Sequence, residues 1–265
     1  MSDAVTASVK SLLEAYRTQQ PIAPLISTHP GLTIDDAYQI QLAQVRAWEA
    51  AGRRILGRKV GLTSPAMQAQ MKVSQPDFGH LMDDMFFAEN TPVPADRFMQ
   101  PRAEPEVAFV LGRDLQGPGV TVAEAALAVD YVMASLEIID SRIENWKIGI
   151  VDTIADNASS GGVVLGSTVR RIDELDLRLG GCVLHRNGEI AGTGAGGAVL
   201  GSPLNSLAWL ANTIGAVGEG LKAGQVILPG SITASIPFEP GDTITATMAG
   251  LGSVTAVIAP RSEQS

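Results

Sequence analysis

The sequence contains a single cysteine, Cys182, and its three histidines lie far apart along the chain. One cysteine cannot form an intrachain disulfide, and neither residue type has the spacing of a zinc site. No run of 18 apolar residues occurs, and the first 20 residues lack the apolar stretch of a signal peptide. These absences predict a cytoplasmic protein without a membrane span.

Basic residues are also scarce relative to acidic ones. The chain has 19 lysines and arginines against 28 aspartates and glutamates, which gives a formal net charge of −9. This balance argues against nucleic acid and anionic membranes as partners, although a local cation could still bind a small anionic substrate. With 265 residues and 45% apolar content, the chain can bury a sizeable core.

The common nucleotide and hydrolase motifs are missing as well. There is no GxGxxG, P-loop, nucleophile elbow or HExxH, and helices and strands do not alternate regularly. Residues 1–54 have mainly helical periodicity, and Thr33 with Asp36 predicts a capped helix start. We therefore expect an α+β fold, with a helical N-terminal region (1–54), a mostly β core (55–260) and a short tail (261–265).

The β core is predicted from extended segments separated by glycine- and proline-rich turns. Asn187-Gly188 is a strong hairpin signal, and a second hairpin is expected at 249–252. Two more helices are expected, one after Thr121 and one at 205–215. Strands are predicted near 55–61, 103–112, 133–140, 162–166, 177–185, 189–194, 226–228, 243–249 and 253–259.

Three glutamates stand in unexpectedly apolar surroundings. Glu104 and Glu106 are one residue apart in a strand whose two faces are otherwise apolar, so their side chains share a face, with Cα atoms roughly 6–7 Å apart. Glu137 is the only charge in the apolar run 131–139. Buried carboxylates must be neutralised by a proton, a basic side chain or a metal. The pattern leaves two explanations open: a Mg²⁺ or Mn²⁺ site, or buried salt bridges with Arg102 and Arg142.

Other polar residues are candidates for the same site. Lys59 lies among apolar and glycine positions and could bind a carboxylate or an enolate oxygen, or could be an ordinary surface lysine. Asp77 is expected in a turn, QPDFGHL (75–81), where an aspartate more often stabilises the turn than acts as a base. The segment DTIADNASSGG (152–162) is expected to be a loop that either contacts substrate or is stabilised by its own side chains.

Seven segments resemble, in order, the 2-keto-4-pentenoate hydratases of aromatic meta-cleavage pathways. They are GRKVGLTS, QPDFGHL, PRAEPEVAFVL, LEIIDSRIENWKI, DTIADNASSGG, GAGGAVLGSPLNSLAWLAN and AGLGSV. The sister branch is 4-oxalocrotonate decarboxylase, and both branches belong to the fumarylacetoacetate hydrolase superfamily. The resemblance covers about residues 10–259 and implies a fold like the C-terminal domain of fumarylacetoacetase, a mixed β-roll with helices outside.

The resemblance also implies roles for particular residues. Glu104, Glu106 and Glu137 would hold one Mg²⁺ or Mn²⁺. Lys59 and Asp77 would be the catalytic residues, with Asp77 positioning or deprotonating the attacking water. Six polar residues and a glycine are expected to line the pocket of a small anionic substrate: Thr63, Ser64, Asn157, Ser159, Ser160, Gly230 and Ser231.

The function implied is hydration of 2-hydroxypenta-2,4-dienoate, or a substituted analogue, to a 4-hydroxy-2-oxo acid. QPDFG and DSRIENWKI are similar to hydratases, whereas GSITASI (230–236) is more similar to the decarboxylase branch, which keeps decarboxylation of 2-oxo-3-hexenedioate as the alternative. A non-catalytic, metal-stabilised binding protein would need the glutamates but neither Lys59 nor Asp77. The family resemblance further suggests a homo-oligomer and an association with a sister decarboxylase or hydratase.

Overall fold

The computed structural model of the chain describes residues 2–261. Within this range the helices alternate irregularly with strands, as the sequence predicts for an α+β fold. The helices are α1 (Asp3–Thr18), α2 (Leu25–Thr28), α3 (Ile34–Ala50), α4 (Pro65–Met71), α5 (Val122–Ala128), α6 (Ile150–Ala155) and α7 (Pro203–Gly215). None of them combines the length and the apolar character that crossing a bilayer requires.

The two long N-terminal helices begin at residues that satisfy their first backbone N–H groups. Ser2 accepts a hydrogen bond from the Val5 backbone N–H at the start of α1. Thr33 and Asp36 form the reciprocal capping box that the sequence predicts for α3. Both helices contribute to an apolar cluster with α6, so the helical N-terminal part is packed on the rest of the chain.

The strands form two sheets, and in both most strand pairs are antiparallel and a few are parallel. The larger has eight strands in the order β2-β1-β10-β5-β6-β7-β3, with β11 paired to β5, and the smaller has the order β4-β13-β12-β8-β9. The strands are β1 (Ile55–Gly61), β2 (Asp77–Met82), β3 (Phe86–Ala88), β4 (Pro92–Val93), β5 (Arg102–Leu111), β6 (Val129–Ile139), β7 (Ser160–Leu165), β8 (Gly181–Arg186), β9 (Glu189–Ala195), β10 (Val226–Leu228), β11 (Ile236–Pro237), β12 (Thr243–Met248) and β13 (Gly252–Ile258).

The large sheet is covered on both faces, as the doubly apolar pattern of β5 predicts. On one face, Val107 and Phe109 belong to the main core with Leu184 and Ile244 of the small sheet. On the other face, Val110 packs in a second cluster that includes Trp48 of α3 and residues of β2 and β10. The glutamate face of β5 is therefore the face covered by the N-terminal helices.

Both predicted hairpins are present. Asn187 and Gly188 have positive φ angles of 55° and 86°, as a two-residue turn between antiparallel strands requires, and they join β8 to β9. The second hairpin joins β12 to β13, with Met248 paired to Gly252. The helix predicted after Thr121 is also present as α5, and Thr121 and Glu124 form a capping box at its start.

Two segments expected as turn or loop are regular structure. QPDFGHL is not a turn, because residues from Asp77 onward form the fully buried strand β2, antiparallel to β1. The first part of DTIADNASSGG is not a loop either, because it lies in α6, where the N–H of the N-cap residue Gly149 donates to Asp152. Burial against the sheet outweighs the turn-like composition in both cases. The short elements α2, α4, β3, β4 and β11 were not predicted.

Boundaries elsewhere differ by a few residues. The strand expected at 177–185 begins only at Gly181, and β6 begins four residues before the predicted residue 133. The division at residues 54 and 55 stays a prediction. Residues 262–265 of the predicted tail lie outside the described part of the chain.

Candidate active site

Strand register brings the three buried glutamates together. In the antiparallel pair β5–β6, Glu104 lies directly opposite Glu137, and Glu106 is two residues further along the same face of β5. Glu106 and Glu137 have no exposed surface, and Glu104 is 8% exposed. One carboxylate oxygen from each residue lies within 4.8 Å of the other two. The cluster that the sequence predicts is therefore present.

Burial and mutual repulsion work against ionisation of this cluster. Two causes raise the pKa of Glu104 to about 7: burial, which is the larger, and the nearby charge of Glu137. The same two causes raise the pKa of Glu106 well above its usual range, although the Gly230 N–H donates to its Oε2 at 2.6 Å. Burial also raises the pKa of Glu137, against the opposing charge of Lys59. A further positive charge would favour the ionised forms.

The donor set fits a divalent cation. Within the described chain, Glu106 Oε1 and both oxygens of Glu137 are buried without a hydrogen-bond partner. Converging carboxylate oxygens are what Mg²⁺ and Mn²⁺ prefer, and three protein ligands leave coordination positions for water or substrate. Oxygens that lack a hydrogen-bond partner and converge within 4.8 Å are consistent with an ion held between them, although Lys59 Nζ lies 3.3 Å from Glu137 Oε1.

The arginine alternative is wrong for the described residues. Arg142 donates to Asp156 Oδ1 at 2.6 Å and lies 3.6 Å from Asp140 Oδ2, away from the glutamates. Arg102 stacks on the Trp146 ring, with its guanidinium carbon 5.1 Å from the ring centroid. Neither arginine forms a salt bridge with the three glutamates.

Lys59 is the cation nearest the cluster. Its Nζ lies 3.3 Å from Glu137 Oε1 and donates to the Ala158 carbonyl at 2.8 Å. Burial lowers the pKa of Lys59, but the negative charges of Glu137 and Asp77 outweigh it and keep the pKa above the usual lysine value. The side chain is only 4% exposed, so the surface-lysine alternative is wrong, and Lys59 presents a fixed positive charge.

Asp77 faces the same site from the neighbouring strand. Asp77 is paired with Gly61 in β1, and burial raises the pKa of its carboxyl against the opposing charge of Lys59. Its Oδ2 accepts a hydrogen bond from Thr153 Oγ1 at 3.2 Å, whereas Oδ1 is buried without a partner in the described chain. A Cβ on Gly61 would lie 2.3 Å from Oδ1, so only glycine leaves room for this carboxylate.

A left-handed turn after α6 supplies the carbonyl that holds Lys59. Asn157, Ala158 and Ser159 have φ angles of 53°, 51° and 53°, a conformation that costs L-residues about 1–2 kcal/mol each. Asn157 stabilises the turn, because its side chain accepts from the His80 N–H and donates to the His80 carbonyl. Consecutive strained residues of this kind commonly mark a functional site.

The predicted substrate-lining residues differ in what their side chains do. The Ser159 hydroxyl is buried and has no partner in the described chain, so it is free to bind a ligand. Asn157 is occupied with His80, and the Ser160 hydroxyl donates to the Asn157 carbonyl at 2.7 Å. The roles of these residues remain predictions.

The other predicted lining residues lie where β10 ends and where α4 begins. Thr63 packs against Gly230, which has a φ of 126° and would place a Cβ 2.3 Å from Thr63 Oγ1. Ser64 accepts from the Met67 N–H as the cap of α4, and the Ser231 hydroxyl donates to the Thr233 carbonyl at 2.8 Å. Gly230 reaches the cluster through its N–H on Glu106, and the role of each of these residues also stays a prediction.

Sequence reasoning missed two residues that contact Asp77. Thr153 lies between Asp152 and Ile154, and nothing in its local pattern distinguishes it from an ordinary helical threonine. Gly61 gave a weak signal, because a glycine at the end of a buried strand often marks a close approach. Both become visible only when β2 is recognised as the strand paired with β1 and α6 as a helix packed on β2.

Comparison with known proteins agrees with this geometry. The family model "Fumarylacetoacetate (FAA) hydrolase C-terminal" matches residues 54–259. The 2-keto-4-pentenoate hydratase of Paraburkholderia xenovorans (strain LB400) is 47% identical over 93% of this chain and 92% of its own. The 2-hydroxyhexa-2,4-dienoate hydratase of Comamonas testosteroni is 46% identical over 91% of this chain and 92% of its own.

A solved structure is similar over nearly the whole length. The 4-oxalocrotonate decarboxylase from Pseudomonas putida G7, complexed with magnesium and adipate, superposes with a TM-score of 0.93 at 40% identity, covering 96% of this chain and 97% of that one. The chain thus has the fold of this class of enzymes, and its buried cluster of three glutamates could hold a metal ion. The chain belongs to the fumarylacetoacetate hydrolase family.

Proposed function

We propose that this chain is a metal-dependent hydratase of meta-cleavage degradation of aromatic compounds. It adds water to 2-hydroxypenta-2,4-dienoate, or a substituted analogue, and releases a 4-hydroxy-2-oxo acid. The observation that carries the proposal is the convergence of the three glutamates with Lys59 and Asp77 in one buried site. The hydratases to which the chain is similar support the same reaction.

Glu104, Glu106 and Glu137 would hold the metal, which we propose to be Mg²⁺ or Mn²⁺. The bound ion would supply Lewis acidity for stabilising negative charge that develops on the substrate. Of two structures of the similar 4-oxalocrotonate decarboxylase, one contains magnesium and the other contains calcium. The Gly230 N–H helps to orient the cluster by donating to Glu106.

Lys59 provides a permanent positive charge beside the acidic cluster. Because its Nζ is held by the Ala158 carbonyl and Glu137, it cannot swing out to solvent without losing both contacts. An anionic 2-hydroxydienoate would otherwise meet the charges of the three glutamates and Asp77. We assign to Lys59 the neutralisation of the substrate's acid end, with assistance to proton transfer as a second role.

Asp77 is the group that distinguishes hydration from the alternatives. Ketonisation moves the proton of the 2-hydroxyl to C5 and gives an α,β-unsaturated 2-oxo acid. Water then adds across the C3–C4 double bond, with its hydroxyl at C4 and a proton at C3. The unpaired Asp77 Oδ1 can accept the proton of that water, while Oδ2 remains bonded to Thr153. The unpaired Ser159 hydroxyl, together with Thr63, is assigned to substrate binding.

Decarboxylation of 2-oxo-3-hexenedioate is the second candidate. It is supported by the 40% identity to the P. putida decarboxylase, whose complex holds the dicarboxylate adipate. Loss of CO₂ requires stabilisation of the resulting enolate but no base for water. The buried Asp77 carboxyl, with one free oxygen, therefore favours hydration.

Purified protein supplied with each substrate separately tests the proposal. With Mg²⁺ and 2-hydroxypenta-2,4-dienoate we expect loss of the dienoate absorbance and formation of 4-hydroxy-2-oxopentanoate. We expect no CO₂ release from 2-oxo-3-hexenedioate. EDTA should abolish turnover, and added Mg²⁺ or Mn²⁺ should restore it.

Two variants connect the assay to the site. Asp77→Asn should lower kcat by about 10²–10⁴-fold, the usual contribution of a general base. Asp173→Asn changes an exposed aspartate paired only with Arg171 and should leave turnover unchanged. Turnover that survives EDTA, or a substitution Lys59→Ala without effect, would contradict the proposed chemistry, and CO₂ release alone would select the decarboxylase. Size-exclusion chromatography of the same samples tests the expected homo-oligomer.

A further inference from the structure

We propose that Thr153 is a positioning residue that determines which oxygen of Asp77 faces the substrate. This inference rests on the proposed function, because it concerns the orientation of the water-activating carboxylate. The sequence alone assigns no role to Thr153. The hydroxyl of Thr153 and the carboxylate of Asp77 are 76 residues apart in sequence and meet only through packing of α6 on β2.

The two oxygens of Asp77 have different surroundings. Oδ2 receives the Thr153 Oγ1–H at 3.2 Å, whereas Oδ1 makes no hydrogen bond and lies over the Cα of Gly61. A carboxylate that is free to rotate about its terminal torsion would present either oxygen. The Thr153 hydroxyl on one side and a residue without a side chain on the other favour one orientation, in which Oδ1 has no side-chain donor.

Thr153 can impose this orientation only if its own position is fixed, and α6 is anchored on several sides. Asp152 Oδ1 accepts from the Leu25 N–H at 2.7 Å, and its Oδ2 accepts from the Gly149 N–H at 2.9 Å. Gln41 and Gln44 of α3 donate to the carbonyls of Ile154 and Ala155 at 2.8 and 2.7 Å. The short helix is thus held more firmly than its six residues would allow alone.

The anchoring has a consequence for the reaction. An oxygen that already accepts the Thr153 hydrogen bond is a poorer acceptor for the proton of water, so the unpaired Oδ1 is the basic atom. Loss of the donor would let the carboxylate rotate and would misplace that atom. The effect should appear in kcat, with little change in KM, because Thr153 contacts Asp77 rather than substrate.

Three variants test the inference in the dienoate assay. Thr153→Val keeps the side-chain shape and removes the donor, and we expect kcat to fall about 10- to 100-fold with KM within about twofold of the wild type. Thr153→Ser restores the hydroxyl and should recover most of kcat. Thr213→Val removes a threonine hydroxyl that donates to the Trp209 carbonyl in α7, and should leave kcat unchanged.

Coupling to Asp77 separates positioning from a general loss of structure. In an Asp77→Asn background, Thr153→Val should lower kcat by less than about twofold, because the carboxylate through which Thr153 acts is gone. Equal losses in both backgrounds, or a Thr153→Ser variant as slow as Thr153→Val, would overturn the inference.

A structural readout is independent of turnover. Crystal structures of the Thr153→Val and Thr153→Ser proteins should show the Asp77 carboxylate rotated in the first and unchanged in the second. If wild-type protein hydrates no dienoate but these structures differ as expected, the proposed function fails while the positioning of Asp77 by Thr153 stands. An unmoved Asp77 in Thr153→Val contradicts the inference whatever the substrate is.

Discussion

Individual residues of the site are placed at a cost to stability. Three buried carboxylates within 4.8 Å repel one another, and Lys59 can offset only part of that charge. The turn at 157–159 adds backbone strain at three consecutive residues. A divalent cation bound by the three glutamates would offset the repulsion within the acidic cluster.

A side chain at Gly61 should impair the reaction, because the position lies directly against the Asp77 carboxylate. Gly61→Ala would place a Cβ 2.3 Å from Asp77 Oδ1 and 3.5 Å from Lys59 Nζ, so the carboxylate must move. Because a displacement of about 1 Å can cost roughly 100-fold in rate, we expect kcat to fall by about that factor. Metal affinity, measured by titration calorimetry, should change little, since the three glutamates are not displaced.

Gly31→Ala is the matched control. A Cβ at Gly31 has no heavy atom within 4 Å, so both kcat and metal affinity should be those of the wild type. A Gly61→Ala enzyme with normal kcat would show that the position of Asp77 over Gly61 has no bearing on the reaction.

His80 gives a prediction about stability and pH. Burial first, and the nearby Arg58 charge second, lower the pKa of its imidazole well below the usual 6.5. The unfolded chain therefore binds a proton at His80 below about pH 6.5 while the folded protein does not, so this residue makes the protein less stable as pH falls. The slope can approach about 1.4 kcal/mol per pH unit.

Comparison with His80→Leu isolates this contribution from the other titrating groups. Unfolding by denaturant at pH 5–8 should show the free energy of unfolding of the wild type decreasing relative to the variant below about pH 6.5. Parallel curves for the two proteins would mean that His80 is not buried in its neutral form.

At the scale of elements, the sequence predicts what has a periodic pattern or a specific turn and misses what depends on partners. The long helices, β1, β5 and both hairpins follow from local signals. β2 does not, because Pro76, Asp77 and Gly79 favour a turn until β1 and the left-handed turn cover them. A Cβ on Gly79 would lie 2.4 Å from the Asn157 carbonyl, a close approach that no local pattern reveals.

Some residues of the site can be predicted from the sequence, and others depend on contacts between distant segments. The three glutamates could be predicted because unpaired charge in an apolar strand is anomalous by itself. Thr153 and the Ala158 carbonyl could not, because a threonine in a helix and a backbone carbonyl carry no sequence signal. The family resemblance predicts the catalytic role of Asp77, whereas the local sequence predicts a turn in place of strand β2.

The contact between α3 and the site elements gives a prediction at this scale. Gln41 is fully buried and donates to the carbonyls of Phe78 in β2 and Ile154 in α6. Gln41→Leu leaves both carbonyls without this donor and should lower the free energy of unfolding by about 1–3 kcal/mol in denaturant titrations. Gln39→Leu on the exposed side of the same helix should change it by less than about 0.5 kcal/mol.

Activity should follow stability in this case, because the same bonds position α6 and β2. We expect Gln41→Leu to lower kcat several-fold as well, and Gln39→Leu to leave it unchanged. A Gln41→Leu protein as stable as the wild type would show that α3 is not needed to hold the two site elements in place.

At the scale of the whole molecule, this acidic protein places three of its glutamates together in one covered region. The small sheet packs on one face of the large sheet and the N-terminal helices on the other, so the glutamate face is closed off from bulk water. In such a place electrostatic interactions are strong, and an ion binding three carboxylates would change the whole site.

Anomalous diffraction from crystals loaded with Mn²⁺ shows directly whether the three glutamates bind a divalent cation. We expect one strong anomalous peak for each chain, enclosed by the carboxylates of Glu104, Glu106 and Glu137. A Glu106→Gln variant should show no peak there. A peak at another location, or an empty glutamate cluster in a protein that still hydrates the dienoate, would contradict this expectation.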